Sequence, residues 1–291
     1  MPSPLASVVI PAHNEERVIG RCLTALLADA RPHEFEVVVV ANGCTDDTTG
    51  VARGFPGVQV ESLETASKHA ALNRGDAVAT AFPRIYLDAD VELTTDAARR
   101  TAGVLRDGQA LVAAPTPEFV LDGRPWPIRA FYRAWRRSRF LTHQVIGNGV
   151  YALSAQGRKR FGEFPPITGD DYFVLAQFGE HERSALATST FRIHPPRDVR
   201  SLVRVRSRVY FGNAELDDHP DLAEDSPSGS ARSALDLVLG CRSPTQLADA
   251  AVYLGVNGLA KLRARRQQRA GVNRPTWERD DSSRSRPDPV G

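Results

Sequence analysis

Phe35-Glu-Val-Val-Val-Val-Ala-Asn-Gly-Cys-Thr-Asp46 sets four valines in succession ahead of a glycine turn. A strand over Phe35 to Val40 with no polar alternation among those valines is one covered on both faces, the habit of parallel sheets. Upstream, Ser7-Val-Val-Ile10 reads as another buried strand, ending at Pro11. Between the two, Glu15 to Asp29 carries Val18, Ile19, Cys22, Leu23, Leu26 and Leu27, a one-sided helical stripe. Asn14 is placed to cap that helix, and Glu15 and Glu16 suit the positive end of its dipole. Downstream, Asp46 to Arg53 predicts a short helix, Val58 to Val60 a short strand, Lys68 to Thr80 a helix and Arg84 to Leu87 a strand. This alternation predicts an α/β fold, a doubly wound, mostly parallel sheet with helices on both faces. Ligands of such sheets bind beyond the carboxyl ends of the strands. Attention therefore falls on His13 to Glu15, Ala41 to Asp46 and Asp88 to Asp90.

Beyond residue 100 the pattern loosens. Leu111 to Ala114 and Val150 to Leu153 read as strands, and Asp170 to Phe178 as a helix opened by two aspartates. Gly123 to Phe140 predicts a helix with six arginines and the aromatics Trp126, Phe131, Tyr132 and Trp135. Arg197 to Arg208 is strongly basic, and Glu215 to Asp225 holds six acids in eleven residues, the mark of a solvated loop. Ala231 to Arg269 reads as helical, and the last dozen residues have a disordered composition. The expected organisation is a main domain over 1–212, an acidic loop and helical C-terminal extension over 213–270, and a disordered tail over 271–291. There is no internal repeat.

Composition excludes several classes. The 291 residues allow one large domain or a domain with an appendage, and 42% hydrophobic with 25% charged residues excludes wholesale disorder. A net charge of +2 is too even to point to nucleic acid as a partner. Cys22, Cys44 and Cys241 lie far apart without CxxC spacing, so neither a disulfide framework nor a zinc knuckle is expected. No stretch approaches the ~20 apolar residues that span a bilayer. Met1 to Ser7 lacks a basic n-region, so a signal peptide is not expected and the expected location is cytoplasmic. All but three of the 37 basic residues are arginine (Lys68, Lys159 and Lys261 are the lysines), as a GC-rich genome would give; a bacterial source is expected.

Four constellations carry chemistry. Asp88-Ala-Asp90 follows an apolar strand directly, and carboxylates at a sheet lip suit Mg²⁺ or Mn²⁺ bound together with substrate phosphates. Asn42-Gly43 offers an amide able to pair with a nucleobase edge, or an ordinary turn leading into a helix cap. In Asp170-Asp171, like charges push one pKa upward, which favours a general base; plain N-capping is the other use of such a pair. Arg204, Arg206 and Arg208 alternate with Val203, Val205 and Val209, either as forks for a diphosphate or as a solvated face.

Taken together, these segments resemble a family 2 glycosyltransferase of the GT-A fold. Ser7-Val-Val-Ile-Pro-Ala-His-Asn-Glu-Glu16 is similar to that family's opening strand and loop, and Val37-Val-Val-Val-Ala-Asn-Gly-Cys-Thr-Asp-Asp-Thr48 to its D-N/D-G-S-T-D-x-T segment. Lys68-His-Ala-Ala-Leu-Asn-Arg-Gly75 resembles its K-x-x-A-L-N-x-G helix, and Ile85-Tyr-Leu-Asp-Ala-Asp-Val-Glu-Leu93 its D-x-D segment. Gly147-Asn-Gly-Val-Tyr-Ala-Leu153 resembles the acceptor-side strand, and Gly169-Asp-Asp171 the E-D base motif. The match runs in order over roughly residues 5 to 212.

The resemblance implies a role for each matching position. Pro11, His13 and Glu15 would line the base and ribose pocket, Asn42 would face the nucleobase, and Lys68 would lie beside the nucleotide. Asp88 would contact ribose or sugar, and Asp90 would hold a divalent metal, Mn²⁺ or Mg²⁺, on the diphosphate. Asp171, or its neighbour Asp170, would be the catalytic base; Arg208, with Arg206, would lie near the diphosphate; His194 is a candidate further metal ligand. Ala41 and Cys44 depart from the nucleobase motif. Val205 and Val209 stand where processive synthases carry Gln and Trp. The implied activity is inverting, non-processive transfer of a sugar from a nucleotide-diphosphate donor, a UDP-sugar first, to an acceptor hydroxyl on a lipid carrier, glycan, small metabolite or peptide. Two rivals stand beside it. One is a non-catalytic sugar- or partner-binding relative. The other is a sugar nucleotidyltransferase, which wants a glycine- and arginine-rich phosphate loop that His13-Asn-Glu-Glu16 is not. The Gly123 to Phe140 and Ala250 to Arg269 stretches are candidates for peripheral contact with the inner face of a membrane, or for ordinary packing against the main domain.

Overall fold

The computed structural model describes residues 3–138, 148–217 and 231–270. They fall into two compact units, one within Met1–Glu118 and Val145–Ile193, the other within Phe119–Gln144 and His194–Gly291. The strands are β1 (Ala6–Ala12), β2 (Phe35–Asn42), β3 (Val58–Leu63), β4 (Arg84–Leu87), β5 (Val91–Leu93), β6 (Val112–Phe119), β7 (Val150–Leu153) and β8 (Arg183–Ile193). The helices are α1 (Ile19–Leu27), α2 (Thr48–Arg53), α3 (Lys68–Val78), α4 (Thr95–Arg106), α5 (Trp126–Arg137), α6 (Ala155–Arg158), α7 (Asp170–Ala176), α8 (Val199–Asp217), α9 (Ala231–Leu239) and α10 (Pro244–Arg269).

The first unit is built on one sheet in the order β3-β2-β1-β4-β7-β6-β8-β5. β3, β2, β1 and β4 run parallel, whereas β7 is antiparallel to both β4 and β6, and β5 is antiparallel to β8. The valine run serves both faces. Val37 and Val39 join Val8 and Ile10 against Ile19, Cys22, Leu23 and Leu26 of α1, while Val38 and Val40 pack with Ala71 of α3 on the other side. Each such side chain, fully buried, contributes about 1.5–3 kcal/mol. α3 lies directly on β1, because a Cβ at Gly75 would come within 2.3 Å of Val9 Cγ1.

Several local expectations are corrected. β1 continues through Pro11; β4 is in register only with Ser7 to Val9, so at Pro11 the strand has a ladder partner on one side, where proline is tolerated. α1 begins at Ile19 rather than Glu15, and Val18 stands at its N-cap position with no side-chain cap. Asn14 does not cap it: its backbone is left-handed (φ 54°), and its Oδ1 accepts from Thr45 N at 2.6 Å. α4, β5 and β8 are additional to the expected elements; the buried face of α4 is mostly alanine and threonine and so gives a weak apolar signal.

In the second unit α5 turns Ile128, Phe131, Tyr132 and Trp135 inward. Arg133 grips Asp249 of α10 with two bonds of 2.9 and 2.7 Å, and Phe131 packs on Tyr253 at 5.1 Å. The arginine holds the Asp249 carboxyl below the usual range. The basic run after Pro196 is helical, in α8. The single helical stretch expected over Ala231 to Arg269 is interrupted between Leu239 and Pro244, where Ser243 caps α10 by accepting from Gln246 N. Expectations at residues 139–140, 147, 218–225 and 271–291 lie outside the described residues. Among the described residues no helix is long and apolar enough to cross a membrane.

Candidate active site

The loops that follow β1 and β2 are stitched together by hydrogen bonds. Asn14 Oδ1 accepts from Thr45 N, Thr48 Oγ1 accepts from Glu15 N at 2.7 Å, and the Glu16 carboxylate accepts from Asp47 N. His13 Nδ1 lies 2.7 Å from Asn42 O. Asn42 is the keystone: its Nδ2 donates to Ala12 O at 2.8 Å, and its Oδ1 accepts from Ser67 N at 2.9 Å. With 0% exposure, its amide is spent inside the protein. Gly43 follows at φ 58°, and a Cβ there would meet Ala66 N at 2.5 Å, so only glycine lets the loop close against residue 66.

Asn42 thereby positions Ser67, which caps α3 by accepting from Ala70 N. The rest of the Lys68 to Gly75 motif then has a physical reading. Ala71 and Leu72 are buried, and Gly75 makes the close approach to Val9. Asn73 clamps the Phe164 backbone by accepting from its N–H at 2.7 Å and donating to its carbonyl at 3.1 Å. Lys68 reaches off the first turn to two carboxylates, Asp88 Oδ1 at 2.8 Å and Asp170 Oδ1 at 2.9 Å.

Those groups share a small depression beyond the ends of β1 and β4, lined by Pro11, Lys68, Asp88, Tyr151, Asp170 and Asp171 among others. Gly149, at φ 89°, is confined by Asp88 Oδ2, 3.0 Å from where a Cβ would stand, and its carbonyl accepts from Asp88 N at 2.8 Å. Asp170 is 6% exposed, and both its oxygens are engaged, Oδ1 by Lys68 and Oδ2 by the Tyr151 hydroxyl at 3.2 Å. The Tyr151 ring stacks on Tyr86 at 4.9 Å, and the Tyr86 hydroxyl donates to Asp76, which also holds Arg84 and Arg158. This buried support was not read from the sequence; the cross-strand pairing of Tyr86 with Tyr151 that would reveal it needs the antiparallel β4–β7 register.

The crowding of charges moves their titration. Burial, the Asp170 charge and the Asp88 charge push the Asp171 carboxyl up to about 6, against the pull of Lys68. Asp88 is raised too, by loss of hydration first and by the Asp170 and Asp90 charges, only partly offset by Lys68. Burial opposes the Lys68 charge, but Asp170, Asp88 and Asp171 outweigh it and keep the ammonium protonated. Burial likewise drives the Tyr151 hydroxyl well above its ordinary range, so it remains a donor.

The remaining expected residues are placed as follows. Asp90 is half-buried after β4, and its backbone carbonyl accepts from Arg21 at 3.3 Å. Glu15 is buried and His13 half-buried in the loop after β1. His194, Arg206 and Arg208 belong to the second unit. Arg206 is buried there, donating to Asn257 Oδ1 at 3.2 Å with its guanidinium over the rings of Trp135 and Tyr210. These contacts are with helices of its own unit. Among the described residues no three His, Cys, Asp or Glu side chains gather to hold an ion by themselves.

Sheet order, helix placement and a charged depression past the parallel strand ends define a doubly wound α/β protein with a candidate ligand site beyond the carboxyl ends of β1 and β4. The chain belongs to glycosyl transferase family 2, whose model matches residues 7–158, just over half of its length. It is 27% identical over 177 residues to 4,4'-diaponeurosporenoate glycosyltransferase of Staphylococcus aureus strain RF122, a match covering 58% of this chain and 45% of that protein. The chain spans about half the length of the curated relatives it matches. Among solved structures, a mannosyltransferase from Pyrobaculum calidifontis in complex with GDP-Man and Mn²⁺ superposes with a TM-score of 0.59 at 19% identity, covering 94% of this chain and 80% of that one. TarS of S. aureus with UDP-GlcNAc gives 0.55 at 18% identity, over 91% and 92% of the two chains. Glucosyl-3-phosphoglycerate synthase of Mycobacterium tuberculosis with Mn²⁺, UDP and glucosyl-3-phosphoglycerate gives 0.55 at 19% identity, over 77% and 81%. These are likenesses of fold, and the fold is the GT-A arrangement that the sequence resemblance implies.

Proposed function

We propose that this protein is an inverting, non-processive glycosyltransferase that moves a sugar from a nucleotide-diphosphate donor, a UDP-sugar first, to an acceptor hydroxyl. The observation that carries the reading is the convergence of Lys68, Asp88, Asp170 and Asp171 on one depression at the strand ends. Asp171 is the better base of the pair. Asp170 has both oxygens committed to Lys68 and Tyr151, whereas Asp171 carries a carboxyl raised to about 6, matched to proton transfer near neutrality.

In the reaction the acceptor oxygen bonds to the anomeric carbon as the bond to the diphosphate breaks. The hydroxyl proton passes to the Asp171 carboxylate, and the electron pair leaves with the diphosphate. Attack from the opposite face inverts the anomeric centre. Pro11, His13 and Glu15 would line the nucleoside. Lys68 would add positive charge beside the diphosphate. Asp88 and Asp90 fit a divalent cation by their chemistry, hard carboxylate oxygens that suit Mn²⁺ or Mg²⁺ completed by phosphates. Bound at Asp90, such an ion would neutralise the leaving diphosphate. Val205 and Val209, in place of the Gln and Trp of processive synthases, support a single transfer.

Calorimetric titration with UDP, GDP and dTDP, with and without Mn²⁺, tests the reading. Metal-dependent binding of one nucleotide, lost in Asp90→Ala, is the expected result. Absence of binding to all three under both conditions would overturn the donor site.

A further inference from the structure

The outward face of α10 is apolar where a solvated helix is polar. Its inward face, which includes Asp249, Val256, Asn257 and Ala260, is buried. On the opposite side Leu247, Leu259 and Leu262 are 50%, 57% and 53% exposed, with Ala251, Gly255 and Gly258 exposed between them. Steps of three and four residues put these on one stripe. The stripe continues into Arg265, Arg266 and Arg269, all exposed, and no acid occurs from Ala250 to Ala270. α9 adds Leu235 and Leu239, at 57% and 74% exposure. α5 differs: its aromatics face inward, except for the exposed Trp126. Because Arg133 meets Asp249 and Phe131 meets Tyr253, α5 and α10 run antiparallel, which brings Trp126 to the end of the pair that holds Leu259 and Leu262.

We infer that α10 is a docking surface for a bilayer of anionic phospholipid. Its leucines enter the boundary between headgroups and acyl chains, and Arg265, Arg266 and Arg269 meet the lipid phosphates. Charge selects this occupant over a second copy of the chain. Two stripes laid together in parallel would oppose arginine to arginine, and laid antiparallel would set arginines against leucines, whereas an anionic bilayer offers apolar depth and negative surface together. The inference is independent of the proposed reaction.

Co-sedimentation of the full chain with vesicles tests it. Vesicles of about 70:30 phosphatidylcholine and phosphatidylglycerol should carry the protein down, pure phosphatidylcholine far less, and about 0.5 M salt should weaken the binding. The double variant Leu259→Ser/Leu262→Ser should lower the partition roughly tenfold. Arg265→Gln/Arg266→Gln/Arg269→Gln should abolish the preference for anionic lipid while leaving the melting temperature unchanged. The idea is overturned if the wild-type chain stays in the supernatant with both vesicle types, if both variants bind as the wild type does, or if light scattering shows a dimer that the serine variant dissociates.

Discussion

Lys68 Nζ lies 2.9 Å from Asp170 Oδ1, and the pair is mostly buried, the carboxylate side chain being 8% exposed. The same ammonium holds Asp88, so one cation joins the first turn of α3, the end of β4 and the start of α7. Removing it leaves the Asp170 charge buried with only a tyrosine hydroxyl for company. Breaking a buried pair by deleting one partner costs about 3–5 kcal/mol. Lys68→Met should lower stability by that order in urea unfolding, and Lys68→Met/Asp170→Asn should recover much of the loss because the more deeply buried of the two stranded carboxylates is then neutral, Asp88 being 36% exposed. Equal stability of the single and double variants would show that the pair is not coupled.

Asp171 makes a pH prediction whose sign follows from its raised carboxyl. A base works when ionised, so kcat/KM should rise through an apparent pKa near 6 and fall about tenfold per unit below it. Stability runs the other way. A folded-state pKa above the unfolded value of 3.8 means that folding favours the protonated form, so stability is lost as pH rises from about 4 to 6. Asp171→Asn should therefore abolish most turnover, by roughly 10²–10⁴, yet raise the melting temperature at pH 8 more than at pH 4. Calorimetric binding of the nucleotide should persist in this variant.

Tyr151→Phe keeps the ring that stacks on Tyr86 but removes the hydroxyl that donates to Asp170 Oδ2. The stability cost should be about 1 kcal/mol, the worth of one such bond. Turnover should fall several-fold with the donor KM unchanged, because the carboxylate pair loses its orientation and the nucleotide contacts do not. A change in donor KM with kcat preserved would place Tyr151 on the donor instead.

How far the sequence reads depends on which elements announce themselves by pattern. The four-valine strand and the one-sided stripe of α1 are strong signals, and Arg84 to Leu87 and Val150 to Leu153 are strands as expected. The candidate site was legible as a set of positions, since Lys68, Asp88, Asp170 and Asp171 all stand at element ends and line one depression. What pattern could not supply is direction. Arg206 sits in a basic run whose alternation suits a strand, but helical spacing turns it inward onto Trp135. Ala97, Ala98 and Ala102 of α4 bury a full face with side chains too small to mark it. Tyr151 needed a long-range strand register before its neighbour could be known.

Asn42 shows the same limit and gives the last test. Its match to a nucleobase motif suggested an amide turned to the ligand, whereas the amide is buried and ties Ala12 to Ser67. Asn42→Ala would remove the bonds to the Ala12 carbonyl and to the half-buried Ser67 N–H, each worth about 0.5–1.5 kcal/mol. The loops after β1 and β2 and the cap of α3 would loosen together, and Lys68 would lose its fixed origin. UDP, GDP and dTDP should then all weaken by a similar factor in calorimetry, alongside a fall in melting temperature. If Asn42→Ala instead changed the ratio among the three nucleotides without destabilising the fold, the amide would be reading the base, and the keystone role would be refuted.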